Sequence, residues 1–251
     1  MNIIDSHCHL GSCSVFGFDI NEESLISKLD ENNICSAIVQ PFPGAIPDAK
    51  SVHDRIYNLS QKYPKKIFGL ASINPNLPKK EVKYELERCV KELGFVGIKC
   101  HTLGHGVNPL GPSGDLIFNT ASRLKVPVNI HTGQGIVFGA PSLCIPKARQ
   151  YPELKIVLAH SGMMMLLPEA FVAATECENI YLETSWTAAE DIKWLIESLG
   201  QHRVMFGSDA YTNEMTNQKV EIFKYNNIGL DDDKKNDVFF DTANKIFNLK
   251  L

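Results

Sequence analysis

The seven cysteines of this 251-residue chain are odd in number and include no C-x-x-C pair. Scattered at positions 8, 13, 35, 89, 100, 144 and 177, they exclude a disulfide framework and predict free thiols in a reducing, cytoplasmic setting. No apolar run approaches the roughly 20 residues that a membrane span needs, so no membrane partner is expected. Neither charge sign is in excess: the net charge is −4 and the pI about 6.1, which makes nucleic acid a poor partner. No basic region precedes the first apolar residues, and no secretory leader is expected. No glycine fingerprint follows the first apolar run, which argues against a dinucleotide-binding doubly wound sheet. Arginine is scarce, with five residues at 55, 88, 123, 149 and 203.

What is present is an ordinary globular balance, 44% hydrophobic and 22% charged, enough for one large core. Length alone leaves one domain or two open. No linker, repeat or low-complexity segment divides the chain, so residues 1–251 are read as a single domain. Short, largely apolar, β-branched runs at 2–10, 34–39, 66–73, 95–101, 126–131, 155–160, 180–185 and 203–209 predict eight strands buried on both faces. Helical spacing fills the intervals at 21–32, 51–62, 78–94, 116–124, 143–150, 163–177 and 188–199, and again at 232–249. Eight strand–helix alternations predict a parallel α/β sheet, and eight is the number that closes a (β/α)₈ TIM barrel. The loops after strands are longer and richer in glycine and proline than those before them. In a barrel such loops gather at the end where active sites sit.

The residues that close these strands carry the chemistry. The first strand ends His7-Cys8-His9, and alternation along a strand puts both imidazoles on one face. On this pair alone, half a metal site and a surface strand with two histidines are equally good readings. Strand five ends in His131, strand six in His160 and strand eight in Asp209, while strand four ends Lys99-Cys100-His101. Converging strand ends would bring these residues to one small volume. Neutral imidazoles plus one carboxylate suit a first-row divalent ion with an open position for water. A further histidine could steer the nucleophile or hold a developing oxyanion.

The chain resembles the amidohydrolase superfamily through His7-x-His9, His131, His160 and Asp209. It is similar in particular to the amidohydrolase-related branch that includes aminocarboxymuconate-semialdehyde decarboxylase. The likeness runs through Leu93-Gly94-Phe95-Val96-Gly97-Ile98-Lys99, Pro127-Val128-Asn129-Ile130-His131-Thr132-Gly133, Ala159-His160-Ser161-Gly162, Tyr181-Leu182-Glu183-Thr184-Ser185 and Phe206-Gly207-Ser208-Asp209. The resemblance implies that His7, His9, His131 and Asp209 hold one divalent metal ion, zinc first, with manganese or iron as alternatives. It implies that His160 contacts the reacting water or substrate and that Asp209 doubles as general base. Lys99 is read as a substrate-facing ammonium ahead of a bridging carbamate, and His101, of the same strand parity, as a second substrate-side residue. Glu183 and Ser185 are read as supporting or structural, Trp186 as pocket wall or core, and His53, His105 and His202 as surface or packing residues. His53 departs from the branch, where an asparagine usually precedes the acid at this place.

The function expected first is hydrolysis of an amide, ester or lactone bond of a small molecule. A non-oxidative decarboxylase of an aromatic or muconate-like acid stands second. That chemistry wants an arginine to grip a carboxylate, and no arginine closes a strand here. A nuclease and a non-catalytic metal scaffold rank below both. The sequence leaves room for a homo-oligomer.

Overall fold

The computed structural model describes residues 2–251. The chain runs β1 (Ile4–Cys13), β2 (Asp19–Ile20), α1 (Glu22–Glu31), β3 (Ser36–Pro41), β4 (Ala45–Ile46), α2 (Ala49–Lys62) and β5 (Ile67–Ala71). It continues through α3 (Lys79–Lys91), β6 (Gly97–Cys100), α4 (Pro112–Leu124), β7 (Val128–His131), α5 (Ile145–Gln150) and β8 (Ile156–Ala159). It ends with α6 (Met163–Glu176), β9 (Ile180–Glu183), α7 (Ala189–Leu199), β10 (Val204–Met205), α8 (Thr216–Asn226), α9 (Asp232–Asn236) and α10 (Thr242–Phe247). Local chemistry sets several boundaries. Asn21 and Asp48 cap α1 and α2 by accepting from the Ser24 and Ser51 amides at 2.8 and 2.7 Å, and Pro112 opens α4.

Eight of the strands form one curled parallel sheet in the order β10-β9-β8-β7-β6-β5-β3-β1. The backbone also joins the two ends of this order. The Ser6 amide donates to the Phe206 carbonyl at 3.3 Å, the Asp209 amide donates to the His7 carbonyl at 2.9 Å, and Cys8 pairs with Ala210. Because neighbours are parallel, all the carboxyl ends lie on one side. The register sets His9 beside Gln40 and Lys99 beside Asn129. The inner face gathers Ile4, Ile38, Leu70, Val157 and Met205 from five strands, against which Ile246, Phe247 and Leu249 pack. A larger cluster fills the layer between sheet and helices, including Leu25, Val52, Ile56, Val82, Leu86 and Ile117. Each such side chain contributes about 1.5–3 kcal/mol by leaving water.

Three departures from the sequence reading have physical causes. β1 continues through Gly11, whose φ of +93° bends the strand, because β2 and β4 pair antiparallel with its last residues. The composition there predicts a loop. The ladder of the last strand is only Val204–Met205, since the Phe206 amide donates to the Val238 carbonyl while the Phe206 carbonyl and the Asp209 amide bond to β1. Helix α8 has no counterpart in the sequence reading. Its buried positions include polar Gln218 and Glu221, while Val220 and Phe223 face solvent, so the usual apolar stripe is missing.

His53 is packing, not surface. It is fully buried on α2, with Nδ1 at 2.8 Å from Glu85 and Nε2 accepting from the Ser72 amide at 2.9 Å. Arg88 covers the same carboxylate at 2.8 and 2.7 Å. His53→Ala strips a partner from a buried carboxylate and from a buried amide. Urea unfolding followed by circular dichroism is expected to show a loss of about 2–4 kcal/mol. A loss below about 0.5 kcal/mol, the usual surface range, contradicts this role.

Candidate active site

The strand ends are held by polar groups that never face the cleft. β1 slips register against β3 between Asp5 and Cys8, just before His9 pairs with Gln40. The buried Asp5 carboxylate accepts from the Ser208 amide (2.9 Å), the Ser208 hydroxyl (2.6 Å) and Gln218 Nε2 (2.9 Å), and from the His7 amide (3.2 Å). Burial pushes its pKa up despite these donors. Glu183, at the end of β9, has a second set of donors. Its carboxylate meets His7 Nδ1 at 2.7 Å, the Ser185 amide at 2.5 Å, the Ser185 hydroxyl at 3.0 Å and the His160 amide at 3.3 Å.

The Gly207-Ser208-Asp209 run reads as three separate requirements. A Cβ on Gly207 would lie 2.5 Å from Glu183 Oε1, Ser208 anchors to Asp5, and Asp209 meets the histidines. Asp209, His160 and Trp186 all have positive φ, at +48°, +67° and +64°. Such conformations cost about 1–3 kcal/mol each and persist where surrounding bonds over-determine them.

The seven sequence-predicted residues form one connected group. Asp209 Oδ1 lies 3.3 Å from His7 Nε2 and 3.0 Å from His9 Nε2. Lys99 Nζ lies 3.1 Å from His7 Nε2 and donates to Asn129 Oδ1 at 3.0 Å. His160 Nε2 lies 3.1 Å from His131 Nδ1, and His101 stacks on His131 with centroids 4.5 Å apart. Metal-capable atoms of His7, His160 and Asp209 all lie within 4.8 Å of one another. His9 and His131 join them through Asp209 and His160.

The hydrogen bonds fix the tautomers in a chain. Ser185 gives its hydroxyl proton to Glu183, so its oxygen accepts Nδ1–H of His160 at 2.7 Å. His160 Nε2 then accepts Nδ1–H of His131, which leaves His131 Nε2 with a bare lone pair. That nitrogen is buried and has no partner. Glu183 takes Nδ1–H of His7 by the same logic and leaves His7 Nε2 as an acceptor. Burial, helped by neighbouring charges, holds His7, His101 and His131 well below the usual histidine range and His160 at about 3, so all four are neutral at pH 7. Burial raises Asp209, but its imidazole neighbours, His9 through a hydrogen bond among them, outweigh it and hold the carboxyl well below its ordinary range. Burial lowers Lys99 to about 8.

Neutral imidazoles with inward lone pairs, one ionised carboxylate and an orphaned buried nitrogen fit a divalent cation. A second compact group, His53, Glu85 and Cys89, does not. Both nitrogens of His53 are already bonded and Arg88 covers the acid.

Sequence reasoning missed Asp5, Gln40, Asn129 and the contact of Trp186 with Asp209 (Nε1 to Oδ2, 2.8 Å). The parity of Asn129, two residues before His131, was the available signal for one of them. Arg55, on α2 and the arginine that could reach the site from there, forks Glu22 at 2.6 and 2.9 Å instead. His105 is partly buried and His202 is exposed. No helix among the described residues is long and apolar enough to cross a membrane.

Fold and cluster together place the candidate site at the carboxyl ends of a parallel sheet. Residues 28–249 match the family model described as amidohydrolase, a span that begins after His7 and His9. The chain belongs to the amidohydrolase family, in its amidohydrolase-related branch. It is 24% identical over 204 residues to a 2-amino-3-carboxymuconate-6-semialdehyde decarboxylase of Dictyostelium discoideum, covering 66% of this chain and 56% of that protein. An uncharacterized TIM-barrel protein from Bordetella bronchiseptica superposes with a TM-score of 0.82 at 14% identity, over 99% of both chains. A 5-carboxyvanillate decarboxylase from Novosphingobium aromaticivorans, complexed with manganese, superposes with a TM-score of 0.74 at 18% identity, over 98% of this chain and 96% of that one.

The Glu183 bonds make a direct prediction. Glu183→Gln keeps the shape but can no longer orient His7 and, through Ser185, His160 and His131. Competition with a chromophoric chelator should show zinc bound about 10–100-fold more weakly, with an unchanged circular dichroism spectrum. Unchanged affinity contradicts the orienting role.

Proposed function

We propose that the protein is a metal-dependent hydrolase that brings water onto an amide, ester or lactone carbonyl of a small molecule. The observation that carries this reading is the bare, buried Nε2 of His131 beside the neutral histidines and the ionised Asp209. In this proposal His7, His9, His131 and Asp209 hold one divalent ion, zinc ahead of manganese or iron. When bound, such an ion supplies Lewis acidity and lowers the pKa of a water.

The chain's own residues supply the rest. Asp209, ionised at neutral pH, takes the proton of the attacking water and returns it to the leaving group. His160, neutral and locked by Ser185, steers the nucleophile and faces the oxygen on which charge develops. Lys99 offers an ammonium to the substrate side, and His101 backs His131. The bonds that link β1 to the Phe206–Ala210 segment support a closed (β/α)₈ barrel. The absence of a linker supports one domain over the whole chain. Seven free thiols favour a cytoplasmic setting.

Decarboxylation by the same cluster is the second reading, favoured by the similarity to the Dictyostelium and Novosphingobium decarboxylases. It ranks second because all five arginines are committed elsewhere, as set out below.

Chelator dialysis should abolish hydrolysis of phenyl acetate, and zinc should restore it. His160→Ala should lower kcat by about 10²–10⁴-fold while zinc stays bound. Activity within threefold of wild type contradicts the role of His160. Carbon dioxide release from an aromatic acid, without ester or lactone hydrolysis, reverses the order of the two readings.

A further inference from the structure

Resting on the hydrolase reading, we propose that the site takes an uncharged, planar aromatic ring carrying the ester or lactone, and discriminates against ring carboxylates. Two independent observations support this. One is a collar of aromatic side chains. Phe42 stacks on His9 with centroids 4.3 Å apart and planes 5° apart. Phe18 packs on Phe42 at 5.9 Å and on Tyr211 at 4.9 Å. Tyr211 stacks with Trp186 at 5.7 Å and 25°, and the Trp186 indole donates to Asp209. Phe16 continues the series from Phe18, at 5.6 Å, to His101, at 6.5 Å.

These five rings come from four different loops or strand ends and touch the cluster at His9, His101 and Asp209. Phe16 and Trp186 are 40% and 39% exposed, which leaves apolar ring surface open at the mouth. Exposed aromatic faces arranged around a polar cluster favour a flat π-surface, through offset or edge contacts worth about 0.5–1.5 kcal/mol each beyond area burial.

The other observation is that, among the described residues, every arginine is already paired and none is free at the collar to receive a ring carboxylate. Arg55 forks Glu22, Arg88 joins Glu85 and Asp54, Arg123 pairs with Glu87, and Arg149 pairs with Glu176. Arg203 donates to the carbonyls of Ala174, Cys177 and Ile180. Lys99, 1% exposed, lies inside the polar cluster beside His7 and Asn129, where it meets the reacting group and not the far side of a ring. The groove of about 420 Å³ that shares Trp186 and Tyr211 with the collar carries apolar Met164 and Val220. Its one acid and one base, Glu221 and Lys224, pair with each other at 2.6 Å. A carboxylate placed there would meet only the neutral Thr187, Thr216 and Asn217 and no unpaired cation to offset the loss of its hydration. A neutral ring loses nothing of the kind.

For an aryl lactone the step balances simply. The acyl C–O bond breaks, water gives its hydroxyl to the acyl carbon and its remaining proton to the lactone ring oxygen, and the product is a single ring-opened molecule that carries both a phenol and a carboxylic acid.

The test uses three probes with the zinc-loaded protein: 3,4-dihydrocoumarin, its 6-carboxy derivative and δ-valerolactone. Hydrolysis is followed by pH-stat. Binding is followed separately by quenching of Trp186 fluorescence in Trp194→Phe, which leaves one indole in the chain. Dihydrocoumarin is expected to bind roughly tenfold or more tightly than either other probe, and to have a kcat/KM higher by a similar factor; tenfold corresponds to about 1.4 kcal/mol. In Tyr211→Ala, KM for dihydrocoumarin should rise by a similar factor while that for δ-valerolactone stays within twofold.

Equal or tighter binding of the carboxylated probe overturns the proposal, as does equal binding of the aliphatic one or no binding of any ring. Hydrolysis of all three lactones with similar efficiency overturns it too, while leaving the hydrolase reading standing. Selective binding of dihydrocoumarin without turnover does the reverse.

Discussion

The site depends on a carboxylate that never faces the cleft. Asp5 sits on the first strand and accepts from Ser208 and Gln218 at the far end of the chain. That splice brings His9 and Asp209, 200 residues apart in sequence, to 3.0 Å. An uncompensated carboxylate would not be buried at this depth. The four donors aimed at it make the junction between β1 and the last strand specific, and backbone bonds from Ser6 and Asp209 continue the junction on either side.

Glu183 does the corresponding work for orientation. One buried carboxylate sets the tautomer of His7 directly and those of His160 and His131 in series through the Ser185 hydroxyl. Metal-capable histidines need this, because a ring nitrogen offers a lone pair inward only if its proton is held outward. The chain of bonds also explains a glycine. Position 207 must lack a side chain because the Glu183 carboxylate occupies that space. The strained backbones of His160, Trp186 and Asp209 lie along the same network.

Much of this was legible in the sequence, for reasons that particular residues show. Buried parallel strands are continuous apolar runs, so each strand and the polar residue closing it could be located. His7-x-His9 carried its own parity, and Lys99 shared a face with His101. Supporting residues were harder to read. Asp5 precedes the histidines in an apolar run and looks like a strand-edge acid, because its partners are over 200 residues away. Helix α8 lacked an apolar stripe because its inner face carries Gln218, which serves Asp5, and Glu221, which meets the Trp186 amide. The extension of β1 past Gly11 depended on pairing with β2 and β4, which no local signal announces. A cavity of about 900 Å³ lined by Phe95, Pro127, Lys155 and Phe247 lies at the amino ends of the strands. It shares no residue with the histidine cluster, and its lysines lie near helix carboxyl ends, where cations are favoured.

The central claim is that residues from the first, fifth and last parallel strands share one cation. Anomalous diffraction at the zinc absorption edge, from crystals grown with zinc, tests it most directly. The account predicts one strong peak in contact with His7, His9, His131 and Asp209. A peak at His53, Glu85 and Cys89 instead, or none between the strand-end histidines at saturating zinc, would contradict it.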